Sequence, residues 1–150
     1  MSMQRLLETV RSFDGVLELA PLPGSAFPEV SWGDHFFYYA PDGTVPARRQ
    51  PYATIVTKNY PGDTSSGLDH PGRWRLNIHI GASAFVEIVG EHPLDTGTHT
   101  DHSRADTVLP HPLYRSQGWI AIVDPGPRTL PIAEDLLRRA HDDARRRSDS

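Results

Sequence analysis

The 150-residue chain contains no cysteine, and only one of its fifteen basic residues, Lys58, is a lysine. The first absence removes disulfides, thiolate nucleophiles, iron–sulfur clusters and cysteine-type zinc sites. No apolar run approaches the roughly 18 residues of a membrane span, and the N-terminus lacks the charged-then-apolar profile of a signal peptide. A soluble, cytoplasmic protein is the expectation. There is no G-x-G-x-x-G or Walker lysine loop, which disfavours dinucleotides and P-loop nucleotides, and no G-x-S-x-G elbow for a serine hydrolase. Fifteen Lys+Arg against 19 Asp+Glu give a net charge of −4, which speaks against nucleic acid held through bulk charge. No cofactor is implied.

Leu, Ile, Val and Phe number 34, just above the ~20% level below which chains tend to disorder. The chain should therefore fold, and at this length one domain over 1–150 is the default. Fourteen prolines and twelve glycines place much of it in turns and loops. Met3, Leu6, Leu7, Val10 and Phe13 recur at helical spacing over 3–13, with Ser2 available as N-cap. Strands are expected at 16–19, at the aromatic run 35–40, at 52–58 and at 73–80. The last is the clearest: Trp74, Leu76, Ile78 and Ile80 point one way, and Arg73, Arg75, Asn77 and His79 the other. A short helix follows, with Phe85, Ile88 and Val89 inward and Gly90 at its C-terminal end. Residues 91–111 are polar and aperiodic. Residues 118–123 are apolar on both faces, as in a central strand. A final helix over 129–146 buries Ile132, Leu136 and Ala140. Its acid-first pairs four residues apart are Glu134–Arg138, Asp135–Arg139, Asp142–Arg146 and Asp143–Arg147. A frayed tail follows from about 146. This order predicts an α+β, two-layer sandwich, with a largely antiparallel sheet of about five strands and helices on one face. The uncovered face, carrying the polar row of 73–80, is the natural place for a cleft.

The segment Trp32-Gly33-Asp34-x-Phe36-Phe37-Tyr38-Tyr39-Ala40-Pro41-Asp42-Gly43 resembles the signature of an uncharacterised actinobacterial family, domain of unknown function 6194. The match continues through 53–58, 60–65 and 68–69, then through Arg75-Leu76-Asn77-Ile78, Pro110-His111-Pro112-x-Tyr114 and Gln117-Gly118-Trp119. That resemblance implies no activity. A weaker one, in element order and in the 110–120 run, is to the MmcQ/YjbR family. It implies a small α+β fold and, by analogy, DNA binding and antibiotic gene clusters.

Five groups of residues invite chemistry. Glu91, His92, Asp95, His99, Asp101, His102 and Asp106, with His111 beyond, are the ligand types of zinc or non-haem iron. Their loop spacing is poor for a metal, so no ligand set is assigned, and a solvated acidic loop is the plainer reading. Asp34 and His35, as strand neighbours, point to opposite faces and should not pair; Asp34 suits a turn cap with Trp32 packed nearby. Lys58 leaves a strand into a loop containing Asp63-Thr64-Ser65-Ser66. It offers either a charged anchor or base, or simply an elaborate turn. Arg73, Arg75, Asn77 and His79, side by side at period two, suit a carboxylate or phosphate-bearing small molecule, or simply a solvated antiparallel face; only Arg75 and Asn77 lie in the resembling stretch. His111, held between Pro110 and Pro112 with Tyr114 three residues on, is the best acid–base candidate, while a rigid loop whose His and Tyr tie down the core edge by hydrogen bonds is the plainer reading.

The expected protein is a small-molecule-binding domain, or a cofactor-free acid–base enzyme of actinobacterial secondary metabolism. Its catalytic candidates are His111, Tyr114, Asp63 and Lys58. Arg75 and Asn77 would anchor the ligand, with Asp34 near the site and Trp32, Tyr38 and Trp119 as walls. The cleft would lie between the 59–72 loop and the 106–119 segment. The alternatives are a DNA-binding module of MmcQ/YjbR type and a metal-dependent enzyme using the 92–111 loop. The aromatic content also suits a protein interface.

Overall fold

A computed structural model describes residues 2–95 and 99–149. Among these residues three α-helices, α1 (Ser2–Arg11), α2 (Gly81–Val89) and α3 (Leu130–Asp149), accompany six strands. The strands are β1 (Val16–Leu19), β2 (His35–Tyr39), β3 (Ala53–Val56), β4 (Arg75–His79), β5 (Leu109–Pro110) and β6 (Trp119–Val123). They form one open sheet in the order β1-β2-β3-β4-β6-β5, and every neighbouring pair is antiparallel. The sixth strand is β5, two residues opposite Ala121 and Ile120. Two residues carry no periodicity, so the sequence pattern leaves them in the polar stretch.

Alternation along each strand divides the sheet into two chemical faces. Phe37, Ala53, Ile55, Leu76, Ile78, Ile120 and Ile122 join Leu6 and Val10 of α1, Phe85 of α2, and Leu136 and Leu137 of α3 in one core. Burying each such side chain contributes roughly 1.5–3 kcal/mol. Helix α3 presents Leu130, Ala133, Leu136, Leu137, Ala140 and His141 at helical spacing. Pro131 sits in its first turn, where a missing N–H costs no helical bond. Asp106 receives the backbone N–H groups of Gly126 and Thr129 and the Thr129 hydroxyl at 2.8, 3.0 and 2.6 Å. One carboxylate thus ties the polar loop to the start of α3.

Several local expectations shift. Ser2 is already helical rather than the residue before the helix. The α3 helix runs on through Asp149 instead of fraying at 146, and residue 150 lies outside the described residues. Of the four pairs, Asp135–Arg139 forms at i,i+4, at 3.7 Å. Glu134 turns instead to Arg5 of α1 at 2.5 Å, and Asp142 and Asp143 pair three residues on, with Arg145 and Arg146. Gly118, at φ +85°, ends the turn before β6, and a Cβ there would lie 2.7 Å from the Gly81 Cα. Only glycine fits that crossing. Among the described residues, no helix is long and apolar enough to cross a membrane.

Candidate functional site

The open face of β2, β3, β4 and β6 forms the base of a cavity of about 630 Å3. Phe36 and Tyr38 come from β2, Thr54 and Val56 from β3, Arg75 and Asn77 from β4, and Trp119 from β6. The loop after β3 contributes Tyr60, Pro61 and Asp63, and the 111–117 segment adds His111, Leu113, Tyr114 and Gln117. Seven of the candidates from sequence thus come together here: Tyr38, Asp63, Arg75, Asn77, His111, Tyr114 and Trp119. A second cavity of about 570 Å3 shares Tyr38, Gln50, Pro51, Gln117 and Trp119 with the first, and Arg48 and Arg49 line it further out.

Arg75 is only 2% exposed, although it lies on the face left open by the helices. It is neutralised in place. Its Nη1 and Nη2 donate to Asp63 Oδ1 and Oδ2 at 3.0 and 2.5 Å, a bidentate pair. Nη1 also donates to Ser66 Oγ at 3.0 Å, and Nε to Asn77 Oδ1 at 2.8 Å. Asn77 Nδ2 in turn donates to Thr54 Oγ1 at 2.9 Å, across the β3–β4 register that sets Thr54 opposite Asn77. Burial alone would raise the Asp63 pKa; hydrogen bonds and charge from Arg75 outweigh it and hold the carboxyl below its ordinary range. Asp63 is therefore committed to Arg75 and is no free acid or base.

His111 is equally buried, and its tautomer follows from its contacts. Nδ1 accepts the backbone N–H groups of Leu113 and Tyr114, each at 3.1 Å. An Nδ1–H would forfeit both bonds, roughly 1 kcal/mol each, for one long contact of Nε2 with Arg75. The proton of the neutral ring thus sits on Nε2, which lies 3.4 Å from Arg75 Nη2. Desolvation first, and then the Arg75 charge, push the His111 pKa down to about 3. The imidazole at neutral pH is a hydrogen-bond donor with its only lone pair occupied, not the general base expected from its motif. The Tyr114 ring lies over it at 4.9 Å, and Tyr114 is half exposed at the mouth.

Trp32, Asp34 and Lys58, placed near the site from sequence, do not line the cavity. They form a separate cluster behind Tyr60. Asp34 is fully buried. Its Oδ1 accepts Thr57 N–H and Oγ–H at 2.9 and 2.6 Å and Lys58 Nζ at 3.1 Å, and its Oδ2 accepts the Tyr60 hydroxyl. Lys58 Nζ also donates to Trp32 O at 2.7 Å and Thr57 Oγ1 at 3.2 Å, which uses all three ammonium protons. The lone lysine is an anchor for the β2–β3 corner. As expected, Asp34 and His35 do not pair: His35 Nδ1 meets Glu18 at 2.6 Å on the other face. The Tyr60 ring reaches the cavity while its hydroxyl braces Asp34, and burial together with that carboxylate pushes its pKa up. Tyr60→Phe should cost about 1.5–3 kcal/mol, the worth of a hydrogen bond to a buried charge. Urea unfolding measures it, and a change within 0.5 kcal/mol of zero would show the hydroxyl to be idle.

The histidine-rich loop does not gather into a ligand set. Among the described residues no three His, Asp or Glu side chains come together as a metal site. Asp101 caps its own turn through Ser103 N–H and Oγ at 3.0 and 2.6 Å. Asp106 caps α3, and His92 Nδ1 accepts Leu94 N–H at 3.1 Å. Residues 96–98 of this loop lie outside the described residues.

Phe36, Thr54 and Tyr60 are cavity residues that the candidate set omits. Phe36 was findable, since it shares a strand face with Tyr38 two residues on. Thr54 needed the β3–β4 register, and Tyr60 needed the fold of its loop. Comparison with curated proteins and with solved structures gave no match. The profile of one family of unknown function, DUF6194, matches residues 1–150. The chain belongs to that family.

Proposed function

We propose that this protein binds a small, partly aromatic molecule in the cavity on the open sheet face. One observation carries the reading: Arg75, Asp63, Asn77 and His111, all buried, converge beneath a ligand-sized cavity walled by Phe36, Tyr38 and Trp119. Protein sites for small molecules have this make-up, apolar walls with a few fixed polar groups, at volumes of about 300–1,000 Å3. A buried ion pair is a weak source of stability compared with apolar packing. Its presence here is better explained by what it presents to the cavity. The acid–base enzyme reading has less behind it, because His111 has no free lone pair, Asp63 is paired and Lys58 lies elsewhere. DNA binding has the acidic net charge against it.

A thermal-shift screen against a library of small aromatic and heteroaromatic compounds tests the proposal. A compound at a hundred times its Kd adds roughly 2.7 kcal/mol to the native state. Hits should raise the melting temperature of the wild type and lose that effect in Trp119→Ala and Tyr38→Ala. No hits, or hits indifferent to both substitutions, would sink the reading.

A further inference from the structure

The donor pair at the cavity floor specifies what the ligand offers. Four of the five guanidinium N–H groups of Arg75 are used by Asn77, Asp63 and Ser66. The fifth lies on Nη2, on the side of His111. The Nε2–H of His111 faces it at 3.4 Å. Two donors cannot bond each other, and among the described residues neither has an acceptor. Both line the cavity. A carbonyl oxygen, with two in-plane lone pairs, accepts from both at once.

Charge then separates a carbonyl from a carboxylate. The Arg75–Asp63 pair is neutral, and His111 is neutral. A ligand carboxylate would stand beside the Asp63 carboxylate with no cation left to offset it, in a site shielded from water. Arg48 and Arg49 line the neighbouring cavity, beyond Gln50 and Trp119, and not this floor. The pattern Arg–x–Asn on one strand face suggests an anion anchor; the paired Asp63 removes that role. Phe36 and Tyr38, two residues apart on β2, and Trp119, three strands away on β6, give the cavity aromatic walls on both sides, which favour a flat aromatic ligand stacked on one of them.

We infer that the cavity selects a flat, uncharged carbonyl compound, such as an aromatic amide, lactam or ketone, whose oxygen accepts from Arg75 Nη2 and His111 Nε2. The inference rests on the cavity-binding reading above and narrows its ligand class. Benzamide and benzoate are suitable probes, alike in size and shape and different in charge. Proton–nitrogen correlation spectra of the imidazoles at pH 7 should show His111 as the neutral Nε2–H tautomer. Benzamide should then move the His111 Nε2 and Trp119 indole signals saturably, with about ten-fold or greater preference over benzoate. His111→Asn keeps an acceptor, Oδ1, where Nδ1 stands, but has no Nε2–H. It should lose benzamide affinity by roughly ten-fold. An Nδ1–H tautomer, benzoate binding at this floor as tightly as benzamide, or no response of Nε2 to benzamide would overturn the inference. Library compounds whose stabilisation depends on Trp119 would uphold the broader reading even then, and their absence would remove it however the probes behave.

Discussion

Arg75→Met should lower the unfolding free energy by about 3–5 kcal/mol at pH 7, the usual result of leaving one member of a buried ion pair alone. Methionine fills much of the same length but offers Asp63, Ser66 and Asn77 no donor. The Asp63 carboxylate then either stays charged without a partner or takes a proton at a raised pKa. Either way the penalty should shrink as pH falls toward the ordinary carboxylate range, because protonation relieves it. The double variant Arg75→Met with Asp63→Leu should recover at least half the loss, since replacing both partners by apolar groups removes the uncompensated charge. Urea unfolding of the wild type, both single variants and the double variant forms the cycle that isolates the pair. Losses that simply add would show that the two groups are solvated separately. The recovered double variant should still fail to bind whatever ligand the wild type binds. Stability regained without binding would show that the pair serves the cavity rather than the core.

The fate of Arg75 also shows how far the sequence could be read. Strict alternation in 73–80 placed Leu76 and Ile78 in the core and Arg75 and Asn77 on the opposite face, because strand periodicity is local and needs no partner. The cavity position followed from the same logic: helices cover one face, so the polar row of β4 lies on the other. What alternation cannot tell is whether that face is wet. Arg75 is dry because a loop twelve residues upstream folds Asp63 onto it, and no period links those positions. Lys58 failed for the mirror reason. Its rarity and its place at a strand end suggested chemistry, yet Asp34, 24 residues earlier, captures it. His111 was found by its flanking prolines, but its role depended on two backbone N–H groups that only the turn at 113–114 supplies. Local pattern pointed to the open face and the side chains that line its cavity; long-range pairing decided the charge and protonation of the groups there.

Acid should destabilise this protein well before its carboxylates titrate, and His111 should be the largest single cause. Its pKa is about 3 in the folded chain against the ordinary 6.5. Below pH 6.5 the unfolded chain binds a proton that the native site refuses, so stability falls as pH falls, and the loss is complete only near pH 3. Each pH unit in that window costs about 1.36 kcal/mol per such group. His111 alone therefore removes about 2 kcal/mol between pH 7 and 5. His141, between the Tyr52 hydroxyl at 2.9 Å and Asp14 O at 2.7 Å, is shifted the same way, chiefly by burial. His79, on Gln117 O, and His102 are also lowered by burial, so all four add to one slope. Asp63, with its pKa held down, adds its own loss only at lower pH. Guanidinium unfolding at pH 7, 6 and 5 should show the stability dropping steadily. His111→Asn should flatten that drop by about 2 kcal/mol between pH 7 and 5, whatever its stability at pH 7. Parallel curves for the two proteins would mean that His111 takes up its proton in the folded state, and the donor assigned to the cavity floor would then be a cation.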